Sequence, residues 1–271
     1  MTNLNKIVTV IALATVVAGC EVEPIQTLPE RNFELVWSDE FEGTVGSAIS
    51  TDKWNYDLGT GQNGWGNNEL QTYTQNASNV SLDGAGNLVI TARKDQFGNY
   101  TSARIKTQGK FTQQYGRIEA RIKTPTGTGI WPAFWMLGSN IDSVTWPQCG
   151  EIDIMEQKGK FSNITYGSIH GPGYSGGEAI TTPYALQNNR FDNDFYIYAI
   201  EWSANRIDFF VNDYLYKRIT PADVPGEWVY NQPFFLILNV AVGGNFGGPP
   251  NNFTPFPTSM TVDYVRVYKE K

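Results

Sequence analysis

Histidine is almost absent from this chain: among 271 residues there is one, His170. Zinc sites built on several histidines are thereby excluded, and a Ser-His-Asp triad has little to stand on. Cysteine is nearly as scarce, with only Cys20 and Cys149. Cys149 reads as a small buried residue at the start of a strand, and its acidic surroundings argue against a thiolate nucleophile. Charge is sparse at 17% and tilted to one sign, with 20 Lys and Arg against 27 Asp and Glu, a formal charge of −7 and a pI near 4.8. That balance argues against nucleic acid and against strongly sulfated polymers as partners, and suits a neutral polymer. The one long apolar run, Ile7 to Ala18, is too short to span a bilayer comfortably, and no internal repeat, heptad or low-complexity tract is found.

What is abundant points to strands and turns. Aromatic residues make up 14%, and there are 27 glycines and 14 prolines, a composition suited to one all-β domain. Gly150-Glu151-Ile152-Asp153-Ile154-Met155-Glu156 sets three carboxylates into a strand-like run. Alternate side chains share a face, so Glu151 and Asp153 point one way while Ile152 and Ile154 enter a core. Glu156 breaks that parity, and strict alternation would bury an unpaired carboxylate among apolar groups. One extra residue, taken up as a β-bulge at Met155, returns Glu156 to the acid face. Glu151 and Glu156 then lie ~13 Å apart at their Cα atoms, at ~3.3 Å per residue. Two inclined glutamates can narrow this to the carboxyl gap of about 5–5.5 Å that retaining glycosidases use. A solvated acidic face and a calcium site are the alternatives for such a strand.

Gly150 to Glu156 resembles the signature of the family 16 glycoside hydrolases in the bulged form that laminarinases share. Four further stretches resemble the same subgroup: Gly64 to Glu69 (GWGNNE), Tyr115 to Lys123 (YGRIEARIK), Gly129 to Leu137 (GIWPAFWML) and Val262 to Tyr268 (VDYVRVY). The resemblance covers nearly everything after residue 32. It implies a two-sheet β-sandwich of jelly-roll type whose curved inner sheet forms an open groove. It also implies retaining endo-hydrolysis of a β-1,3-glucan, with Glu151 as nucleophile, Glu156 as acid/base and Asp153 tuning the pair. A related polysaccharidase on mixed-linkage glucan, agar or porphyran, and a non-catalytic glucan-binding lectin, are the rival readings. No cofactor is expected for catalysis. A structural calcium is implied at the backbone carbonyls near Glu42 and Gly86 together with Asp263.

Aromatic and amide residues supply the candidate sugar contacts. Trp131 and Trp135 share parity on one strand and read as the floor of a cleft, since indole faces stack on pyranose rings. Trp65 and Asn67 lie in a Gly- and Asn-rich loop, where an exposed indole can be a sugar platform and a tucked one an anchor. Trp146 sits on the loop ahead of the acid strand. Tyr166, Ser168 and His170 share parity on the strand after it, so His170 can reach a bound sugar or a carboxylate. Asn239 interrupts the apolar run Phe234 to Val242, needs partners and is placed toward the cleft. Arg117, Glu119, Arg121 and Lys123 read as a solvated strand face, and Asn87 to Lys94 with Tyr100 to Thr107 as a hairpin.

Residues 1–20 read as an export signal, and Val17-Ala18-Gly19-Cys20 resembles a bacterial lipobox that would lipidate Cys20. Residues 21–31, polar and containing Pro24 and Pro29, read as a tether to a catalytic domain at 32–271. The expectation is an exported monomer held to a cell-envelope membrane by a lipid anchor.

Overall fold

The structure, a computed structural model, describes residues 31–271. The expected signal, the expected lipidation site Cys20 and all but the last residue of the expected tether lie outside the described residues. Two sheets, antiparallel except for the short parallel pair Gln71–Tyr73 and Tyr100–Ser102, face each other across a main apolar core. The sheet that carries the acids has seven strands in the order Ile180–Ala185, Ile164–His170, Glu151–Glu156, Ile130–Gly138, Phe234–Val242, Arg104–Lys106 and Asn55–Asp57. Phe234–Val242 is buried at all nine positions, as an interior strand covered on both faces must be.

The second sheet has ten strands. Its middle is Tyr196–Ser203, Gly116–Lys123, Thr258–Glu270 and Leu88–Lys94, paired in that order. Phe33–Asp39 pairs with Thr258–Glu270, so the first and last strands lie side by side. Ile152, Ile154 and Met155 from the acid sheet meet Ile118, Ile200 and Val265 from the other in a single buried cluster. Apolar residues from the two inner faces thus make the sandwich, and the acids stand on the opposite face of their sheet.

Two expectations are corrected. The stretch Tyr100 to Thr107 is not one hairpin arm. Tyr100–Ser102 pairs with the end of Leu88–Lys94, and after Ala103 the chain crosses to the acid sheet, where Arg104–Lys106 pairs with Phe234–Val242 and Asn55–Asp57. Ala103 and Ile105 are both fully buried, marking the crossing point between sheets. The charged face of Gly116–Lys123 is not simply solvated. Arg117 and Glu119 are each 7% exposed, and the Arg117 guanidinium lies 2.7 Å from Glu119, 3.1 Å from Glu201 and 2.8 Å from Asp213. Arg31 adds a second cation, 3.0 Å from Glu201. Alternation gave the face, but not the neighbouring strand that brings Glu201 opposite Arg117.

Candidate active site

The acid strand is bulged as its parity requires. Against the tryptophan strand Ile130–Gly138, Asp153 pairs with Trp135 but Met155 pairs with Phe134, so the residue without a partner is Ile154 rather than Met155. Against Ile164–His170, Asp153 faces Ser168 and Glu156 faces Tyr166, so Ile154 and Met155 stand opposite Gly167 alone. Ile154 and Met155 are 1% and 0% exposed and both enter the core. Two consecutive apolar side chains on one side are what return Glu156 to the side of Glu151 and Asp153.

Each carboxylate has a different environment. Glu151 keeps 17% of its side chain in solvent, accepts the indole N–H of Trp146 at 2.8 Å and faces His170 Nε2 at 3.6 Å. Asp153 is 3% exposed, with His170 Nε2 at 3.1 Å from Oδ2 as an ion-pair contact rather than an aligned hydrogen bond. Burial, then the charges of Glu151 and Glu156, hold Asp153 well above the usual carboxylate range. Glu156 is 8% exposed and receives the Trp131 indole N–H at 2.9 Å and the Ser168 hydroxyl at 3.4 Å. Burial is the main cause that pushes Glu156 up to about 7; Glu151 adds to it, while His170 and the Trp131 and Ser168 bonds oppose it. The Cys149 thiol is pushed up to about 11 by burial and by Glu151, which keeps it protonated and unreactive.

Around the acids the remaining predicted residues fall into two groups. Trp131, Trp135, Trp146, His170 and Asn239 are brought to the acid face. Trp135 donates its indole N–H to Asn239 Oδ1 at 2.7 Å, and Asn239 Nδ2 donates to the Tyr73 hydroxyl at 3.1 Å, which satisfies an amide only 5% exposed. Trp65 behaves as a loop anchor: its ring packs 5.5 Å from Tyr73 and under the Arg104 guanidinium at 4.7 Å. Asn67 reaches Glu69 Oε1 at 3.4 Å.

Several residues escaped sequence reasoning. Arg104 lies 4.7 Å from the ring centres of both Trp65 and Trp135, and its guanidinium is 2.9 Å from Asp57. Its position depends on the sheet crossing, which alternation does not reveal. Phe246, on the short turn Gly244–Gly247, packs 5.2 Å from Trp131 and 5.4 Å from Tyr166, with Lys158 Nζ 4.3 Å from its ring centre. Nothing local marks that phenylalanine. Ser168 was signalled by its shared parity with His170.

For a metal, Glu151, Asp153 and His170 are the one cluster of His, Cys, Asp and Glu side chains among the described residues with ligand atoms close together, within 4.8 Å. The expected calcium set fits only in part. A side chain on Gly86 would stand 3.7 Å from Glu42 Oε1, so those two converge, but the Asp263 carboxylate is held by Arg121 Nη1 at 2.5 Å. A concavity of about 450 Å³ bounded by Phe161, Asn163 and Arg190 lies beyond the turn after the acid strand and contains none of the three acids. The acids lie instead along the face of their sheet, with Trp146 42% exposed beside them.

The family profile of glycosyl hydrolases family 16 matches residues 67–266, which include the acid strand and every other strand of its sheet except the edge strand Asn55–Asp57. The chain belongs to glycosyl hydrolases family 16. Among the family's curated members, a beta-glucanase of Rhodothermus marinus is 40% identical over 275 residues, covering 95% of this chain and 93% of its own. The laminarinase catalytic domain of Thermotoga petrophila superposes with a TM-score of 0.83 at 47% identity, over 89% of this chain and all of that one. A keratan-sulfate endo-1,4-beta-galactosidase of Sphingobacterium multivorum is 36% identical over 90% of this chain and 57% of its own. The two-sheet fold and glycosidase chemistry of family 16 therefore hold for this chain, while the last relative shows that membership alone does not choose the sugar.

Proposed function

We propose that this family 16 glycoside hydrolase cleaves β-1,3-glucan internally and with retention of configuration. The observation that carries the reading is the asymmetry of two glutamates on one aromatic-lined face: Glu151 partly in solvent with an N–H donor, Glu156 buried and pushed up to about 7. A proton-bearing acid beside an accessible carboxylate is the division of labour that double displacement needs. Glu151 attacks the anomeric carbon as the glycosidic C–O bond breaks, and Glu156 gives its proton to the departing oxygen. Glu156 then takes a proton from water, the water oxygen bonds to the anomeric carbon, and Glu151 leaves. Asp153 between them sets the field, and Trp131 and Trp135 offer ring faces to the sugars. The laminarinase and beta-glucanase relatives support a β-1,3-glucan over other polymers.

Incubation with laminarin, lichenan and agarose, with reducing-end assay, product sizing and NMR of the first anomer formed, tests the reading. Laminarin cleaved fastest, to β-anomers, is the expected result. Preference for agarose would move the protein to the galactan-acting rival, and binding without cleavage to the lectin.

The same reading extends to location and metal. We propose export and lipidation at Cys20, supported by the lipobox-like residues alone; Cys20→Ala should move the protein from the membrane fraction to the soluble one. The calcium proposal rests on the resemblance and on the meeting of Glu42 with Gly86. A rise in thermal midpoint with added calcium, lost in Asp263→Asn, is its test.

A further inference from the structure

The stretch GWGNNE ends on a carboxylate that has no part in the chemistry described so far, Glu69. Its backbone is fixed from the end of Phe234–Val242. Glu69 bridges to Gly243, the Leu70 N–H donates to the Val242 carbonyl at 2.8 Å, and the fully buried Gln71 accepts the Val242 N–H at 2.7 Å. Three side chains then donate to the Glu69 carboxylate. Gln71 Nε2 and the Tyr73 hydroxyl reach Oε2 at 2.6 and 3.1 Å, and Asn67 Nδ2 reaches Oε1 at 3.4 Å. Burial raises the Glu69 pKa, while Gln71, the Arg104 charge, Tyr73 and Asn67 oppose that rise, so these neighbours favour the ionised form.

From Glu69 a chain of hydrogen bonds runs to a sugar platform, and each bond in it has a forced direction. An indole N–H can only donate, so the Trp135 N–H, 2.7 Å from Asn239 Oδ1, sets which way that amide faces. Asn239 Nδ2 is thereby turned to the Tyr73 hydroxyl, to which it donates at 3.1 Å. Burial, then the Glu69 charge, hold the Tyr73 hydroxyl well above its ordinary range, so it keeps its proton. A hydroxyl that accepts from Asn239 gives that one proton elsewhere, and Glu69 Oε2 is the acceptor in place. Tyr73 and Asn239 are 1% and 5% exposed, which leaves water a poor substitute for either partner.

The Trp135 ring has a second support on the same side. The Arg104 guanidinium lies 4.7 Å from its centre and 4.7 Å from that of Trp65, in the loop that leads to Glu69. Asp57 holds that guanidinium at 2.9 Å, and its charge also acts on Glu69. The N–H edge and one face of Trp135 are thus both set from the Glu69 side of the groove.

We propose that Glu69 is a positioning residue for substrate binding: as the last acceptor of the chain from Trp135 through Asn239 and Tyr73, it fixes how the Trp135 indole is turned toward the sugar. This deepens the glucan-hydrolase reading and rests on it for the kinetic test alone. Glu69 acts through Trp135 and not on the reacting atoms, so its loss costs affinity before it costs the bond-breaking step.

Eight tryptophans give eight indole signals in the ¹⁵N-labelled full-length protein, and Trp135→Phe identifies that of Trp135. In the wild type this N–H should exchange slowly with solvent. Tyr73→Phe keeps the ring and its packing but removes the link, and Glu69→Leu removes the last acceptor. Each should speed exchange of the Trp135 N–H by about tenfold, the scale of a buried bond lost, while the other indole signals show that the fold is kept. Glu69→Gln still offers an oxygen to Tyr73 and Gln71, and should recover most of the protection that E69L loses. Against laminarin, Y73F should raise KM about fivefold with kcat within about twofold. Adding Y73F to E69L should raise KM by less than about twofold more, as two residues on one path require. Exchange of the Trp135 N–H at the wild-type rate in Y73F overturns the proposal, as do E69Q behaving like E69L and a loss confined to kcat with KM unchanged. Should E69L not fold, Y73F decides alone. A protein that cleaves no laminarin sinks the hydrolase reading, whereas indole exchange needs no substrate and still decides the role of Glu69.

Discussion

Glu151 and Glu156 are the same residue on the same face, five positions apart, yet their surroundings fit them for opposite tasks. Glu151 faces water, an indole N–H and an imidazole, whereas Glu156 is closed in beside Tyr166 and Ser168. Replacing the nucleophile with Glu151→Ser should abolish hydrolysis, by at least a thousandfold, and leave laminarin affinity by calorimetry within a few-fold, since the aromatic face is untouched. Turnover within about tenfold of wild type would remove Glu151 from that role. Trp131→Phe makes a subtler test. It keeps an aromatic ring but deletes the N–H that favours ionised Glu156. The acid should then hold its proton to higher pH, and the basic limb of kcat/KM should move up by up to about one unit. At this scale the sequence was a good guide where parity placed the residue, as with Trp131, Trp135 and His170, or where an amide interrupted an apolar run, as at Asn239. It was silent on Arg104 and Phe246, whose neighbours arrive from distant strands and turns.

At the scale of the element, the bulge in the acid strand decides the chemistry. The break in alternation between Asp153 and Glu156 was readable because a buried lone carboxylate is so unfavourable, but the unpaired position was displaced by one, to Ile154, because parity counts residues and not hydrogen bonds. Met155 does pack, fully buried, so its loss has two effects. Its deletion restores plain alternation, keeps the second glutamate on the acid face two strand steps from Asp153 as the bulge already does but without the bulge's local bend and twist, and empties a core position at a cost of about 2–5 kcal/mol. The expected outcome is a lowered thermal midpoint and a changed ratio of laminarin to lichenan cleavage, about tenfold or more, with some activity left. Met155→Leu, which preserves the count and most of the volume, should leave that ratio within about twofold. If the two variants show the same linkage ratio, bulge geometry does not set linkage preference.

Taken whole, the molecule separates stability from chemistry by sheet. The ten-stranded sheet carries the buried cluster of Arg117, Glu119 and Glu201, which alternation alone suggested was solvated. Arg117→Met leaves buried Glu119 without its cation beside Glu201, which keeps Arg31, and should destabilise folding by about 3 kcal/mol in chemical denaturation, with kcat of the folded fraction unchanged. On the seven-stranded sheet the sign is reversed, because the acid cluster is a liability to folding. Burial pushes Glu156, ordinarily near 4.5, up to about 7 in the folded protein, and holds Asp153 well above its ordinary value. Between the unfolded and folded pKa values these two groups bind more protons in the native state than in the unfolded chain, so their contribution to stability falls as pH rises from about 4.5 through 7. Glu156→Gln removes the larger part of a charge that forms unfavourably in a buried place, while keeping a side chain of the same shape for Trp131 and Ser168 to meet. Its thermal midpoint should therefore exceed that of the wild type at pH 8, the difference should shrink toward pH 5, and hydrolysis should be lost throughout. A Glu156→Gln midpoint that stays at or below the wild type's at pH 8 would mean that Glu156 is not held protonated in the native site, and the acid half of the mechanism would have to be sought in another residue.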